Sequence, residues 1–262
     1  MSLGSRIGIA LATMVALMVS LWAVRGRRNA GVVDVAWSFG TGLTGVFFAL
    51  TAGGLSARRI AVAALAGLWA LRLGGYLLRR VSSEVEDVRY RALREKWGPR
   101  ASRNFLLFFL VQAAWAVLFA LPMLPAAENA RDLCAADLAG VLLWLAALTG
   151  EAVADLELAR FRADPANRGR VCRRGLWGWS RHPNYFFEWL GWWAYVLLAA
   201  GHPLWYLALG GPALMLLFLT RVTGIPPTEK RLLASRGESY REYQRSVSVF
   251  VPWPPKRAPK GG

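Results

Sequence analysis

The chain has 262 residues, 55% of them hydrophobic, and carries 32 Lys and Arg against 16 Asp and Glu for a formal charge of +16. A mean hydropathy of +0.33 is too high for a soluble domain of this size, and apolar runs recur near the twenty or so residues that cross roughly 30 Å of hydrocarbon. With two histidines and two cysteines, none at ligand spacing, a metal cluster is excluded as the basis of function.

Spans are expected near 7–24, 32–51, 60–78, 105–124, 138–158, 184–200 and 203–220. The predicted fold is all-α: a polytopic membrane helical bundle of about seven transmembrane helices, with amphipathic helices on the cytoplasmic side. The first span starts close to Met1, but Arg6 is its only early positive charge. No small-residue cleavage site precedes Arg25, so it reads as a helix rather than a signal peptide. The loops on one side of the bilayer hold 27 of the 32 basic residues, at Arg25–Arg28, 79–103, 160–181 and from Arg221 onward. The other side has Arg6, Arg58, Arg59 and Arg131. By the positive-inside rule the N-terminus lies outside and the C-terminus in the cytoplasm of a multi-pass membrane protein. The lipid bilayer accounts for most of this basicity. Nucleic acid is a poor partner, because the charges sit in loops between spans. Cys134 and Cys172 fall on opposite faces, so no disulfide is expected.

Ionisable residues inside spans are the informative ones, since each is expensive in hydrocarbon. The second span opens with Asn29 and carries Asp34 about one turn in, with Trp37 stacked beside it at i+3. Asp34 reads equally as a functional group or as a carboxylate complementing the helix dipole. Gly40, Gly42 and Gly45 allow close helix approach. The third span holds Arg72 and Tyr76, then Arg79 and Arg80 at the boundary, and Arg72 could pair with Asp34 or with later acids. Residues 86–98 form an amphipathic surface helix whose charges are mostly solvated, with Arg89 and Tyr90 as possible ligand contacts. The fourth span is structural, and the outer loop to Asp137 offers no chemistry. On the fifth span Glu151, Asp155 and Arg162 share one face, while Glu157 lies off it within reach of Arg160 or Arg162. The following loop supplies Arg168, Arg170, Arg173 and Arg174, whose guanidinium forks suit phosphate oxygens.

The segment GLWGWSRHPNYFFE, Gly175–Glu188, organises the rest. Gly175 and Gly178 free the backbone, Ser180 and Asn184 offer hydrogen bonds, and Pro183 suits a first helical turn. A helix is expected from His182–Pro183, running through Trp189, Trp192 and Tyr195. Its N-terminus beside Arg173, Arg174 and Arg181 is an anion site. Glu188 lies one turn above Asn184 on the same face. After Arg221, the run Glu229–Tyr243 reads as one amphipathic helix ending at the apolar Val251-Pro252-Trp253-Pro254. Neither a Walker loop nor a GxGxxG fingerprint is present, so a Rossmann domain is not expected.

These words, with ADLELARFRADPANRGR before them, RGESYREYQRSVSVFVPW after them, DVAW at 34–37 and EDVRY at 86–90, resemble the steroid 5-alpha-reductase C-terminal superfamily. Within it the chain is similar to a bacterial branch grouped as a domain of unknown function. The resemblance implies one integral-membrane domain over 1–262, with substrate-side elements in 1–104 and cofactor-binding helices in 105–262. It implies an NADPH-dependent reduction of an enone double bond in a steroid-like or other apolar substrate. The cofactor positions it implies are Asp155, Arg162, Arg170, Asn184, Glu188 and Arg221. Glu151, Arg174, Ser180, Arg181, His182, Tyr185, Arg79 and Arg89 belong to the same expected site, and Tyr76 and Asp34 take the catalytic roles at the substrate carbonyl. The chain departs from the reductases where their Gln-Glu pair would stand, and has Ile225 and Glu229 in place of a tail histidine and tyrosine. Isoprenylcysteine and phospholipid methyltransferases share an RHPxY…E element, used there for S-adenosylmethionine, and they are the alternative. A third class, a lipid-binding scaffold, would leave Glu151, Arg72 and Asp34 without a purpose.

Overall fold

The computed structural model describes residues 1–26, 28–83 and 86–256. Arg27, Arg257 and Lys260, which the charge count includes, lie outside these. Among the described residues six helical runs are long and apolar enough to cross a membrane: Leu3–Gly26, Val32–Thr51, Ser56–Ser82, Val88–Glu128, Ala135–Ala163 and Trp205–Arg236. The chain is an all-α, multi-pass membrane protein. The expected span at 184–200 forms α8, Pro183–Ala199. Its 17 residues reach about 25 Å at 1.5 Å per residue, at the short end of the lengths that cross a membrane, with Pro183 opening it and Gly201 at φ 87° following its end.

The chain divides into two compact units, Met1–Asp137 with Tyr195–Gly211, and Leu138–Ala194 with Pro212–Gly262. The first contains α1 (Leu3–Leu21), α2 (Val32–Thr51), α3 (Ser56–Ser83), α4 (Val88–Trp97), α5 (Ala101–Ala120) and α6 (Met123–Glu128). Lipid tails are as apolar as leucine, so these helices associate through close packing rather than through expulsion of water. Gly40, Gly42 and Gly45 make that possible: a Cβ on them would collide with Met14, Ala70 and Met123, as the small-residue spacing predicts. Helix α5 packs on α1 and α2. Its Phe105, Phe109, Ala113 and Ala116 join Met14, Met18, Val33 and Ala36 in one buried cluster. Trp37 packs edge-on against Trp69 and Phe119, at 6.0 and 5.3 Å. It belongs to this core rather than to Asp34, because the i+3 turn carries the large ring towards α3 and α5.

The outer loop, expected to be inert, is a dense polar knot. Arg58, fully buried, donates to both carboxylate oxygens of Asp137 at 2.6 and 3.1 Å and to the carbonyls of Asn129, Arg131 and Asp132. Asn129 Nδ2 donates to Leu198 O and Ala200 O, both at 3.0 Å, and Arg6 pairs with Glu128. Arg59 caps the end of α2 at Ala49 O and Leu50 O. The four arginines assigned to one face thus serve the ends of the first unit's helices. They are read as topology signals from the sequence, and their second task, saturating loop carbonyls that have no helical partner, has no periodic signature.

The second unit holds α7 (Ala135–Ala163, from Leu138 onward), the first part of α8, and α9 (Gly210–Leu217, from Pro212 onward). Also within it are α10 (Ile225–Arg236) and α11 (Glu238–Ser246). Helices α7 and α8 run antiparallel, with Gly150 close against Phe187 and Ala147 close to Gly191. The tail is two helices rather than the single one expected. Gly237, at φ 53°, stops α10 by donating back to Leu233 O and begins α11. Tyr240 and Tyr243 of α11, with Val247 just after it, are buried against Val171, Leu232 and Leu233.

Candidate functional site

In the second unit the Gly175–Glu188 segment is held from two sides. On the α7 side, Glu157 accepts from Leu176 N at 2.9 Å. It does not pair with Arg160 or Arg162 as expected, because Gly175, at φ 53°, brings the segment's backbone against the carboxylate where a Cβ could not fit. Trp177 Nε1 donates to Ala154 O at 2.8 Å. On the tail side, Ser180 Oγ donates to Phe250 O at 2.7 Å and Arg181 N to Ser248 O at 2.8 Å. Trp253 N donates to Trp179 O at 3.0 Å, and Tyr243 OH donates to Trp177 O at 2.6 Å. Phe250 lies edge-on to Phe186 and Trp189. The tail is a strap along the motif. Burial pushes the hydroxyls of Tyr240 and Tyr243 and the thiol of Cys172 above their ordinary values, which suits a strap packed without solvent.

Helix α8 begins at Pro183, as the motif predicts. Asn184 Nδ2 donates to Asp155 Oδ1 at 3.2 Å, and its Oδ1 accepts from Tyr185 N at 3.0 Å. The antiparallel register that sets Asn184 against Asp155 puts Glu188, four residues on, level with Glu151, four residues back. Glu151 is buried and Glu188 is half-buried, with Trp192 Nε1 at 3.4 Å from the Glu188 carboxylate. Two carboxylates, an Asp–Asn pair and an indole therefore fall along the facing sides of α7 and α8.

The basic residues behave differently from the expectation. Arg181 is held by the tail. Its Nε donates to Glu229 at 2.7 Å and its NH1 donates to Gln244 O and Val247 O at 2.9 and 2.8 Å. Arg173 donates to Ser239 O and lies over the Tyr243 ring. Arg162, Arg170, Arg174 and Arg221 are exposed. His182 is 2% exposed, stacks on Tyr185 with an interplanar angle of 4°, and has Nε2 3.3 Å from Glu229. Glu229, whose direction the sequence left open, is the centre of this contact.

The first unit gathers a second polar cluster from two of the quoted words. Asp34 of DVAW accepts from Tyr90 OH at 2.6 Å and from Arg89 NH2 at 3.1 Å, both from EDVRY. Glu86 accepts from Ala30 N and pairs with Arg94 at 2.6 Å, while Asp87 pairs with Arg80 at 2.7 Å and caps α4. So Asp34 pairs with α4, the helix expected to be mostly solvated. Its tyrosine partner is Tyr90, whereas Tyr76 is 60% exposed on α3 and Arg79 is likewise exposed. Burial alone would raise the Glu86 and Asp87 carboxyls. Hydrogen bonds and charge from Arg94 and Ala30 N–H, and from Arg89 and Arg80, hold both below their ordinary values. Asn29, Gly31, Asp34, Leu77, Arg80, Val81 and Asp87 line a small cleft here.

The family described as "Protein of unknown function (DUF1295)" matches residues 21–247. The methanethiol S-methyltransferase of Mycobacterium tuberculosis (strain ATCC 25618 / H37Rv) is 35% identical over 79 residues. That match covers 30% of this chain and 29% of the relative, so the chain spans under a third of the curated relative's length. No solved structure matches.

Proposed function

The chain belongs to the DUF1295 family, and from that premise we propose that it is a membrane methyltransferase using S-adenosylmethionine. The acceptor is a small apolar nucleophile, of the thiol class in the first instance. The observation that carries this reading is the disposition of Arg181. The motif's own arginine is bonded to Glu229 and to two tail carbonyls, and the facing sides of α7 and α8 carry carboxylates, an amide and aromatic rings where a phosphate clamp would need cations. That donor set fits S-adenosylmethionine, whose ribose diol and ammonium are donors for carboxylates and whose sulfonium is attracted to aromatic faces. A dinucleotide's pyrophosphate asks for the opposite. The relative named as a methanethiol S-methyltransferase supports the same class of chemistry.

In this reading the Asp155–Asn184 pair contacts the cofactor, with Glu151, Glu188 and Trp192 further along the same helices. S-adenosylmethionine, when bound, supplies an electrophilic methyl group. The protein's part is orientation and exclusion of water, which is where alignment of two reactants gains most. The site faces the cytoplasm of a bacterial inner membrane, where such a cofactor is made, and an apolar acceptor enters from the bilayer.

The expected NADPH-dependent reductase remains the second reading. It is supported by the exposed Arg162, Arg170 and Arg174 near the motif in sequence and by the resemblance of Asp155, Asn184 and Glu188 to the reductase positions. Thermal unfolding of the purified protein in detergent separates the two. S-adenosylmethionine and S-adenosylhomocysteine at a hundred times Kd should stabilise by about 2.7 kcal/mol, with NADPH silent. A shift with NADPH alone would replace the proposal with the reductase.

A further inference from the structure

We infer that Glu229 is a positioning residue for His182. It fixes the imidazole with its proton on Nε2, so that Nδ1 is the acceptor offered to a hydrogen-bond donor of the bound cofactor. The last clause rests on the methyltransferase reading, and the positioning itself does not.

The argument begins with how many donors converge on one carboxylate. Glu229 Oε1 receives Arg181 Nε at 2.7 Å and Tyr240 OH at 3.3 Å, and Oε2 receives Gln244 Nε2 at 3.0 Å. A carboxylate that gathers a guanidinium, a hydroxyl and an amide is ionised and accepts only. His182 Nε2, at 3.3 Å from Oε1, must therefore be the donor in that contact. In a neutral imidazole the other nitrogen is then a lone-pair acceptor, a choice that the first hydrogen bond makes for the ring.

Three further contacts keep the choice from relaxing. His182 lies parallel to Tyr185 with centroids 5.4 Å apart and is buried. Its backbone N donates to Ser180 Oγ at 3.1 Å, and that hydroxyl in turn donates to Phe250 O. Arg181, bonded to the same carboxylate, caps the carbonyls at the end of α11, which fixes the tail beneath Glu229. The two basic residues of SRHPNY are thus both read by the tail. One of them, His182, is adjacent in sequence to the helix that carries Asn184. The segment from 229 to 250 does more than close the chain: it sets the chemistry of one ring in the motif.

The test uses the full-length protein in detergent with 15N-labelled histidine. The chain contains two histidines, and a His202→Asn spectrum assigns the other. At alkaline pH the wild type should show the Nε2–H form of His182. Glu229→Ala should lose that preference and weaken S-adenosylhomocysteine at least tenfold, which is about 1.4 kcal/mol. Glu229→Gln, which keeps an acceptor oxygen, should lie between the two in both readouts. Tyr243→Phe removes a strap hydrogen bond to Trp177 and serves as the structural control, lowering Tm without altering the tautomer. An Nδ1–H form in the wild type, or a folded Glu229→Ala protein with unchanged tautomer and affinity, overturns the inference. Should Glu229→Ala fail to fold, the wild-type and Glu229→Gln spectra decide. A wild type that ignores S-adenosylhomocysteine yet shows the Nε2–H form overturns the methyltransferase reading and upholds the positioning.

Discussion

The knot around Arg58 and the segment around Arg181 are built from the same parts and do opposite things. Each has a guanidinium bonded to one carboxylate and to neighbouring backbone carbonyls. Around Arg58 every partner is a loop or a helix end, and the contacts close the ends of the first unit's helices. Around Arg181 they tie the motif's histidine and the start of α8 to the tail, while Asn184 bonds Asp155 on α7. An arginine at a helix end is thus read by its partners, and its sequence position alone does not distinguish the two cases.

Substitutions can break this contrast. The largest effect is expected at Arg58→Ala, which leaves the buried Asp137 carboxylate with only Arg131 and Cys134 N–H and strips three loop carbonyls of their donor; it should cost about 3–5 kcal/mol, with cofactor affinity of the remaining folded protein unchanged. Thermal unfolding with and without ligand measures both. An intact Tm with lost binding would make the knot functional and dissolve the comparison. Gly175→Ala forces a side chain to a positive φ and against Glu157; a loss of about 1–3 kcal/mol is expected, with weaker binding because the motif shifts. Asn184→Ala should weaken S-adenosylhomocysteine about tenfold, some 1.4 kcal/mol, with a Tm change of only about 1 kcal/mol equivalent. Calorimetry on the folded variant reads it.

Smaller effects belong to the first unit's latch. Tyr90→Phe removes the hydroxyl that Asp34 accepts from and should cost about 1 kcal/mol, with faster hydrogen exchange in α4. The latch should also loosen in acid. The folded Glu86 and Asp87 carboxyls lie below their ordinary values of 4.5 and 3.8. Their contribution is therefore complete above those values and is lost as pH falls through the lower folded ones. Hydrogen exchange in α4 followed across that acid range should accelerate, and Glu86→Gln should flatten the dependence.

Much of the fold was legible, for physical reasons that differ by region. Spans follow from hydropathy because the bilayer demands about twenty apolar residues, and α8, at 17, is at the short end of that range. The start of α8 at Pro183 and the close approach at Gly40, Gly42 and Gly45 follow from local backbone chemistry. The resemblance assigns Asp155 and Asn184 to one expected site, without reaching the bond between them. The partners of Arg181, Glu157, Asp34 and Arg58 were not reached. Each lies across a loop, where no periodicity links the two positions, and each competes among several acceptors of similar strength. The break at Gly237 had a visible signal in the glycine itself, but the charge pattern on either side continues through it.

Methyl transfer itself tests the central claim most directly. Purified protein in detergent, given methyl-labelled S-adenosylmethionine and methanethiol, should release labelled dimethyl sulfide, and Asn184→Ala should release about tenfold less at subsaturating cofactor. A protein that binds NADPH and consumes it with an enone, while releasing no labelled thioether, would contradict the account.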